Sequence, residues 1–282
     1  MSGVLDLTDS RARTAEAKSQ YGELMGVFRG WMESGGIGVR TVRDPVLAMY
    51  RWEVAVSAEP AKNLPLLTGQ IINNISVALE YVAFQIYLIA GGEPDGPQAA
   101  KVAFPIVNTE SPWDSVVKKK VPGVWPEAAD RLKAAQPFSQ EGMAANALRT
   151  LRGLGGTDKH RNLVLCAAVA LSANVIGPAG GVGCQIRLAR ADGDISKGPV
   201  VPIKPGTVVE VACAFAQPSP APDHDAVLLW ASGVDFKLPP PPTVEYTFRA
   251  NNGSEVDLTG LRGLIEHVLV IVDSFTDLSG PG

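Results

Sequence analysis

The stretch GLGGTDKHRNLVL, residues 153–165, is where the chain changes texture. Upstream, apolar residues recur at helical spacing. Downstream, they alternate. Gly155 and Gly156 break a helical pattern, and Thr157 or Asp158 offers a cap. Lys159, His160 and Arg161 follow together, and an apolar run begins at Leu163. A switch from helical to period-two patterning within one chain predicts an α+β protein.

Working back from the switch, a helix is expected over 140–154 and another over 126–136. VAFPIVNTESPWD, 102–114, reads as a short extended piece. Residues 66–90 form a long, mostly apolar helix stopped by Gly91 and Gly92, and such a helix belongs in a core. Tyr50, Trp52, Val54 and Val56 alternate in a short hairpin or extended arm over 41–60. Residues 8–34 form an amphipathic helix carrying Leu24, Val27, Phe28 and Trp31.

Working forward, VGCQIRLAR, VVEVACAF, AVLLW and TVEYTFR alternate as strands, while ARADGD and ANNGS have hairpin-turn chemistry. QPSPAPDHD and KLPPPPT are connectors. This predicts an antiparallel sheet, a small sandwich or partial barrel. VDLTGLRGLIEHVLVIVDSF, 256–275, returns to helix after an Asp257 or Thr259 cap. Its broad apolar face needs a partner surface, and the N-terminal bundle is the simplest. The expected division is therefore a helical bundle with a short N-terminal β hairpin over 1–162, an antiparallel β insertion over 163–253, and a C-terminal helix over 254–282 that packs back on the bundle.

Composition is that of a core-forming chain, 46% hydrophobic and 19% charged over 282 residues. A net charge of −4 gives no general pull toward nucleic acid or anionic lipid, although a local basic patch leaves nucleic acid open. Cys166, Cys184 and Cys213 are sparse, lack zinc-like spacing, and suit a reducing compartment as buried thiols. The N-terminus has no signal-peptide order. The apolar runs 71–90 and 163–177 are interrupted by polar residues or too short to span a bilayer. A cytoplasmic protein with no membrane association is expected.

The three bases at 159–161 need an acidic counterpart, because a helix N-terminus disfavours them by roughly 0.3–1 kcal/mol each. Asn73, Ser76 and Glu80 stand at i, i+3 and i+7 on the central helix. A carboxylate among so many apolar residues demands a partner. The expectation is that Glu80 contacts His160 or Arg161, with Asn73 completing the hydrogen bonds. Such a pair in a bundle core fixes register more often than it catalyses. Were it catalytic, His160 would be general acid or base, Arg161 would stabilise phosphate charge and Glu80 would complete the set, with Asn73, Asp158 and Lys159 as binding groups. No metal and no cofactor are expected.

The segments GQIINNISVALEYVAFQIY, FPI at 104–106, AADRLKAAQPF and LRGLGGTDKHRNLVL resemble, in order and spacing over 40–165, an uncharacterised bacterial family. Its members carry an LHNLRSALDHLAW-like helix, then FPI, a QPY-like element and LNNIDKHRLL. That family is similar to HEPN-like helical bundles, some of which are metal-independent ribonucleases or nucleotide-binding partners in defence systems. The resemblance implies a HEPN-like bundle. Asn73, Ser76, Glu80 and Tyr81 stand where the family helix has His, Arg, Asp and His, so only the acid is kept in kind.

Other candidates read more simply. His224 between Asp223 and Asp225 is a solvated loop, and His267 a bundle-edge histidine. GPAGGVG, 177–183, lacks the Lys-Ser/Thr of a phosphate loop. Lys118–Lys120 form a solvated face that, with Arg131 and Lys133 and flanked by Trp113 and Trp125, offers a modest anion patch. The expected function is that of a non-catalytic interaction or scaffold protein with a protein partner or self-association. The alternatives are a HEPN-like RNA-handling enzyme in defence or stress response, and a phage or virion structural component.

Overall fold

The computed structural model describes residues 3–44, 49–155, 163–170, 182–187, 201–202, 208–218 and 243–281. The elements are α1 (Thr8–Glu33), β1 (Ile37–Asp44), β2 (Met49–Val56), α2 (Asn63–Ile89), a 3-10 turn (Ala99–Lys101), α3 (Trp113–Lys120), α4 (Pro126–Ala134), α5 (Gly142–Gly155), β3 (Val164–Ala170), β4 (Val182–Arg187), β5 (Val201–Pro202), β6 (Val208–Pro218), β7 (Thr243–Arg249), β8 (Glu255–Asp257) and α6 (Leu258–Asp273). The protein is α+β. The chain forms two compact units, a helical one from 1–26, 62–163 and 248–282 and a β unit from 27–61 and 164–247.

In the helical unit α2 is the core. By length and composition it is apolar enough to cross a membrane; 14 of its 27 residues are buried in the unit. Leu261, Leu264, Ile265, Val268 and Val272 of α6 are buried at helical spacing, and Phe275 and Leu278 just beyond are fully covered. Asp257 is the N-cap, its carboxylate accepting from the Gly260 N–H. The hairpin turn at 250–254 forms as its sequence predicts, with Gly253 at φ +83° and Ala250 N–H donating to Ser254 O at 2.8 Å. It docks on α5, where the Asn252 amide donates to Gly153 O at 2.6 Å. A side chain at Gly153 would collide with Ser254, so close approach requires glycine there. Buried Ser10, Thr14 and Ala17 give α1 a narrow face of small side chains. The termini pair, Val4 bridging Ser279 and Gly280 N–H donating to Gly3 O.

Two expectations are corrected. Residues 113–120 are a helix, so Trp113 and Asp114 open a helix rather than end an extended piece, and the lysine run, with Lys118 and Lys119 exposed, is the last turn of that helix. Trp113 and Val117, at i and i+4, are both 3% exposed, Asp114 lies in the first turn and Lys118–Lys120 in the last, as the helix dipole favours. Buried Trp113 and Trp125 have no free face on which a base could stack. Secondly, the hairpin placed with the 1–162 bundle belongs to the β unit. An isolated two-stranded hairpin is marginal, and β2 gains a third strand by pairing antiparallel with β6.

The β unit holds the sheet β1-β2-β6-β4, antiparallel at each junction. A second sheet has the order β5-β3-β7-β8, of which β8 and the end of β7 belong to the helical unit. The end of α1 enters the β unit, where the Trp31 indole lies over Gly36 and donates to Ala58 O at 3.3 Å. Phe28 meets the Tyr246 ring edge-on at 4.8 Å. Cys166 is buried, as expected of it.

Candidate functional site

The residues that carry the family-like motifs converge on one segment of backbone. Residues 103–107, AFPIV, run extended, so their N–H and C=O groups have no helical partners of their own. Side chains and a helix end take that place. Ala103 N–H donates to Lys120 O at 3.1 Å. Phe104 N–H donates to Glu80 Oε2 of α2 at 2.9 Å. Gln136, just past α4, donates to Pro105 O at 2.8 Å and accepts from Val107 N–H at 2.9 Å. Arg152 of α5 donates to Ile106 O at 3.0 Å. Five consecutive residues are thus strapped to α2, α3, α4 and α5. Gln136 is fully buried, and its amide also donates to Leu132 O.

A cleft of about 210 Å³ opens beside this strap. Ser76, Leu79 and Glu80 of α2 form one wall, and Phe104 and Ile106 of the strap another. Leu151, Arg152 and Gly155 of α5 close it. Leu79, Phe104 and Leu151 are buried, Glu80 is partly covered and Arg152 is exposed. Ser76 donates its hydroxyl proton to Ile72 O at 2.8 Å.

Of the residues expected here, Glu80 is in place, and a backbone N–H is one of its partners. Asp158, Lys159, His160 and Arg161 lie outside the described residues, so their pairing with Glu80 stays an expectation. Asn73 does not line the cleft. The buried amide of α2 is its neighbour Asn74, 6% exposed, which accepts from Arg13 Nη1 at 3.2 Å and donates to Gln20 Oε1 at 3.0 Å. Sequence reading passed over Asn74, Gln136 and Arg152. The signal for Gln136 was a lone amide between apolar residues and a Pro. His224 and its aspartates, and most of GPAGGVG, also fall outside the described residues. Among the described residues no cluster of His, Cys, Asp and Glu could hold a metal.

Of the remaining basic candidates, Lys118 and Lys119 are exposed at the end of α3, Lys133 and Arg131 are in salt links, and His267 is half buried. Lys133 pairs with Glu110 at 2.6 Å, and Arg131 bridges Glu127 and Asp277. The Arg131 hydrogen bond holds the Asp277 carboxyl below its ordinary range. His267 Nε2 is buried without a hydrogen-bond partner among the described residues, and burial lowers its pKa below 6.5. The neutral ring is therefore favoured in the folded state, while the unfolded chain takes up the proton near pH 6.5. Stability from this site is full above that pH and falls as the pH drops through it. Thermal melts from pH 7.5 to 5 should show a decline that flattens in His267→Gln; an unchanged decline would place the titration elsewhere.

No protein-family model, curated protein or solved structure matches the chain.

Proposed function

We propose that this is a non-catalytic interaction or scaffold protein: a HEPN-like helical bundle bearing a small β sandwich or partial barrel, with a protein partner or a second copy as its target. One observation carries the reading. The polar side chains of the motif segments, Glu80, Gln136 and Arg152, all hold the backbone of 103–107, which is an architectural task. Glu80 next to His160 or Arg161 then acts as a core staple, and the α2–α5 region is a rigid platform.

The metal-independent ribonuclease reading has its own support, since Gly155, on the cleft wall, lies only three residues before Asp158. The two part in a single assay. Purified protein is incubated with single-stranded RNA in EDTA, alongside His160→Ala. The scaffold reading expects intact RNA in both, with Glu80→Gln lowering the melting temperature and leaving RNA untouched. Cleavage by wild type that His160→Ala abolishes would overturn it. Light scattering on the same sample reads self-association, and a large ring or filament would favour a virion component.

A further inference from the structure

We infer that Asn252 is a site of covalent modification: it deamidates through a succinimide when the 250–254 turn lifts from α5, and the product no longer holds that turn down. This goes beyond the scaffold reading and does not rest on it.

The chemistry is local. Asn252 is the one asparagine of the chain that is followed by glycine. The Gly253 nitrogen, as its anion, attacks the carbonyl carbon of the Asn252 side chain. A new C–N bond closes a five-membered ring, and the side-chain nitrogen leaves as ammonia. Water then opens the ring at either carbonyl, giving aspartate or isoaspartate. Glycine leaves the attacking nitrogen unhindered because it has no Cβ. Asn251, Asn252 and Gly253 are exposed, so water and hydroxide reach the site.

The docked turn holds this reaction in check. Gly253 N–H donates to Ala250 O at 3.0 Å, which occupies the nucleophile. The Asn252 amide donates to Gly153 O at 2.6 Å, and its Oδ1 accepts from Ser254 N–H at 2.9 Å, which fixes the group under attack. Ring closure requires these bonds to open together. They belong to one short surface turn, and such bonds break in local openings rather than in global unfolding.

The product cannot dock in the same way. A carboxylate at position 252 has no N–H to give Gly153 O and meets it with a second acceptor. Isoaspartate also routes the main chain through Cβ, which lengthens the turn by one atom. The turn lies so close to α5 that Gly153 has no room for a Cβ beside Ser254. Arg152 and Gly155, on either side of Gly153, line the cleft. Conversion therefore loosens the α5 end of the cleft irreversibly.

The test is incubation of the full-length protein at mildly alkaline pH, beside a synthetic peptide of residues 248–256. Peptide mapping reads the mass gain of amide to acid at Asn252 and the separate elution of isoaspartate. The protein should convert at Asn252 roughly ten- to a hundred-fold more slowly than the peptide, the protection expected of three exposed hydrogen bonds. Gly153→Val crowds Ser254 and displaces the turn, so it should speed conversion about five-fold or more. Gly153→Ala, a milder crowding that suits the helix, carries the same direction should the valine variant lose its thermal transition. Asn252→Gln should stop conversion. Converted protein, separated by its added negative charge, should exchange the amide hydrogens of 252–256 and of the last turn of α5 about five-fold faster than unconverted protein. Conversion at the rate of the peptide, or more than roughly a thousand-fold below it, would overturn the assignment. So would a rate unchanged by crowding at Gly153, or unchanged exchange in the converted protein.

Discussion

Gln136→Ala should lower the unfolding free energy by about 3–5 kcal/mol, read as a shift in the urea midpoint with an unchanged slope. Gln136 is fully buried and makes three hydrogen bonds. Leu132 O lies in the last turn of α4, where the Gln136 N–H that would reach it in a continuing helix donates to Lys133 O instead. Pro105 O and Val107 N–H lie in the strap, which offers neither a ladder nor a helix. Each orphaned group costs about 1–3 kcal/mol, and the void left by the side chain adds to this. A drop below 1 kcal/mol would mean that the strap finds other partners. Gln136→Glu tests the same bonds through pH. Val107 N–H accommodates a carboxylate, but Pro105 O and Leu132 O face it with acceptors, so the folded state favours the protonated acid and its pKa rises. Below about pH 4 the acid is neutral in both states and little is lost. As pH rises the unfolded chain ionises and the folded chain resists, so the deficit relative to wild type grows toward neutrality. A pH-independent deficit would contradict the assigned bonds.

Phe275→Ala should cost about 3–5 kcal/mol in the same measurement. Phe275 follows α6 and is completely buried, as is nearby Val272. The ring is fixed on several sides, so collapse around the deletion is limited. Since whole domains are stable by only about 5–15 kcal/mol, the variant should sit near its unfolding threshold at 37 °C. Val270→Ala, on the solvent side of α6 and 66% exposed, is the internal control, with an expected effect within about 0.5 kcal/mol. Equal losses in the two variants would refute the placement of the apolar face of α6.

The bounds of α1 and α6 were legible because each has a long periodic face with a clear stop or cap. The Asp257 cap and the ANNGS turn were legible for the same reason: their chemistry is local. What escaped was non-local. Nothing in MYRWEVAV names its partner VVEVACAF some 150 residues on, so the hairpin was assigned to the wrong unit. The eight-residue helix at 113–120 offers only one buried i, i+4 pair, Trp113 and Val117, and three successive lysines hide its periodicity. At the candidate site the acid was legible, because a lone Glu80 in α2 demands a partner. One partner, a backbone N–H at Phe104, was not, because an amide is present at every residue but proline and carries no signature in sequence.

The interleaving of the two units has a kinetic cost during synthesis. The apolar face of α2 is complete once residue 89 has been made, yet α6, which packs on it, follows roughly 170 residues later. At about 5–20 residues per second the ribosome leaves that face without its final cover for roughly 10–40 s. Over that interval Ile71, Ile75 and Leu79 belong to an incomplete bundle, open to chaperone holdases and to the wrong neighbours. Yield in cells should therefore depend on translation rate and chaperone supply more steeply than the equilibrium stability of the finished fold would suggest.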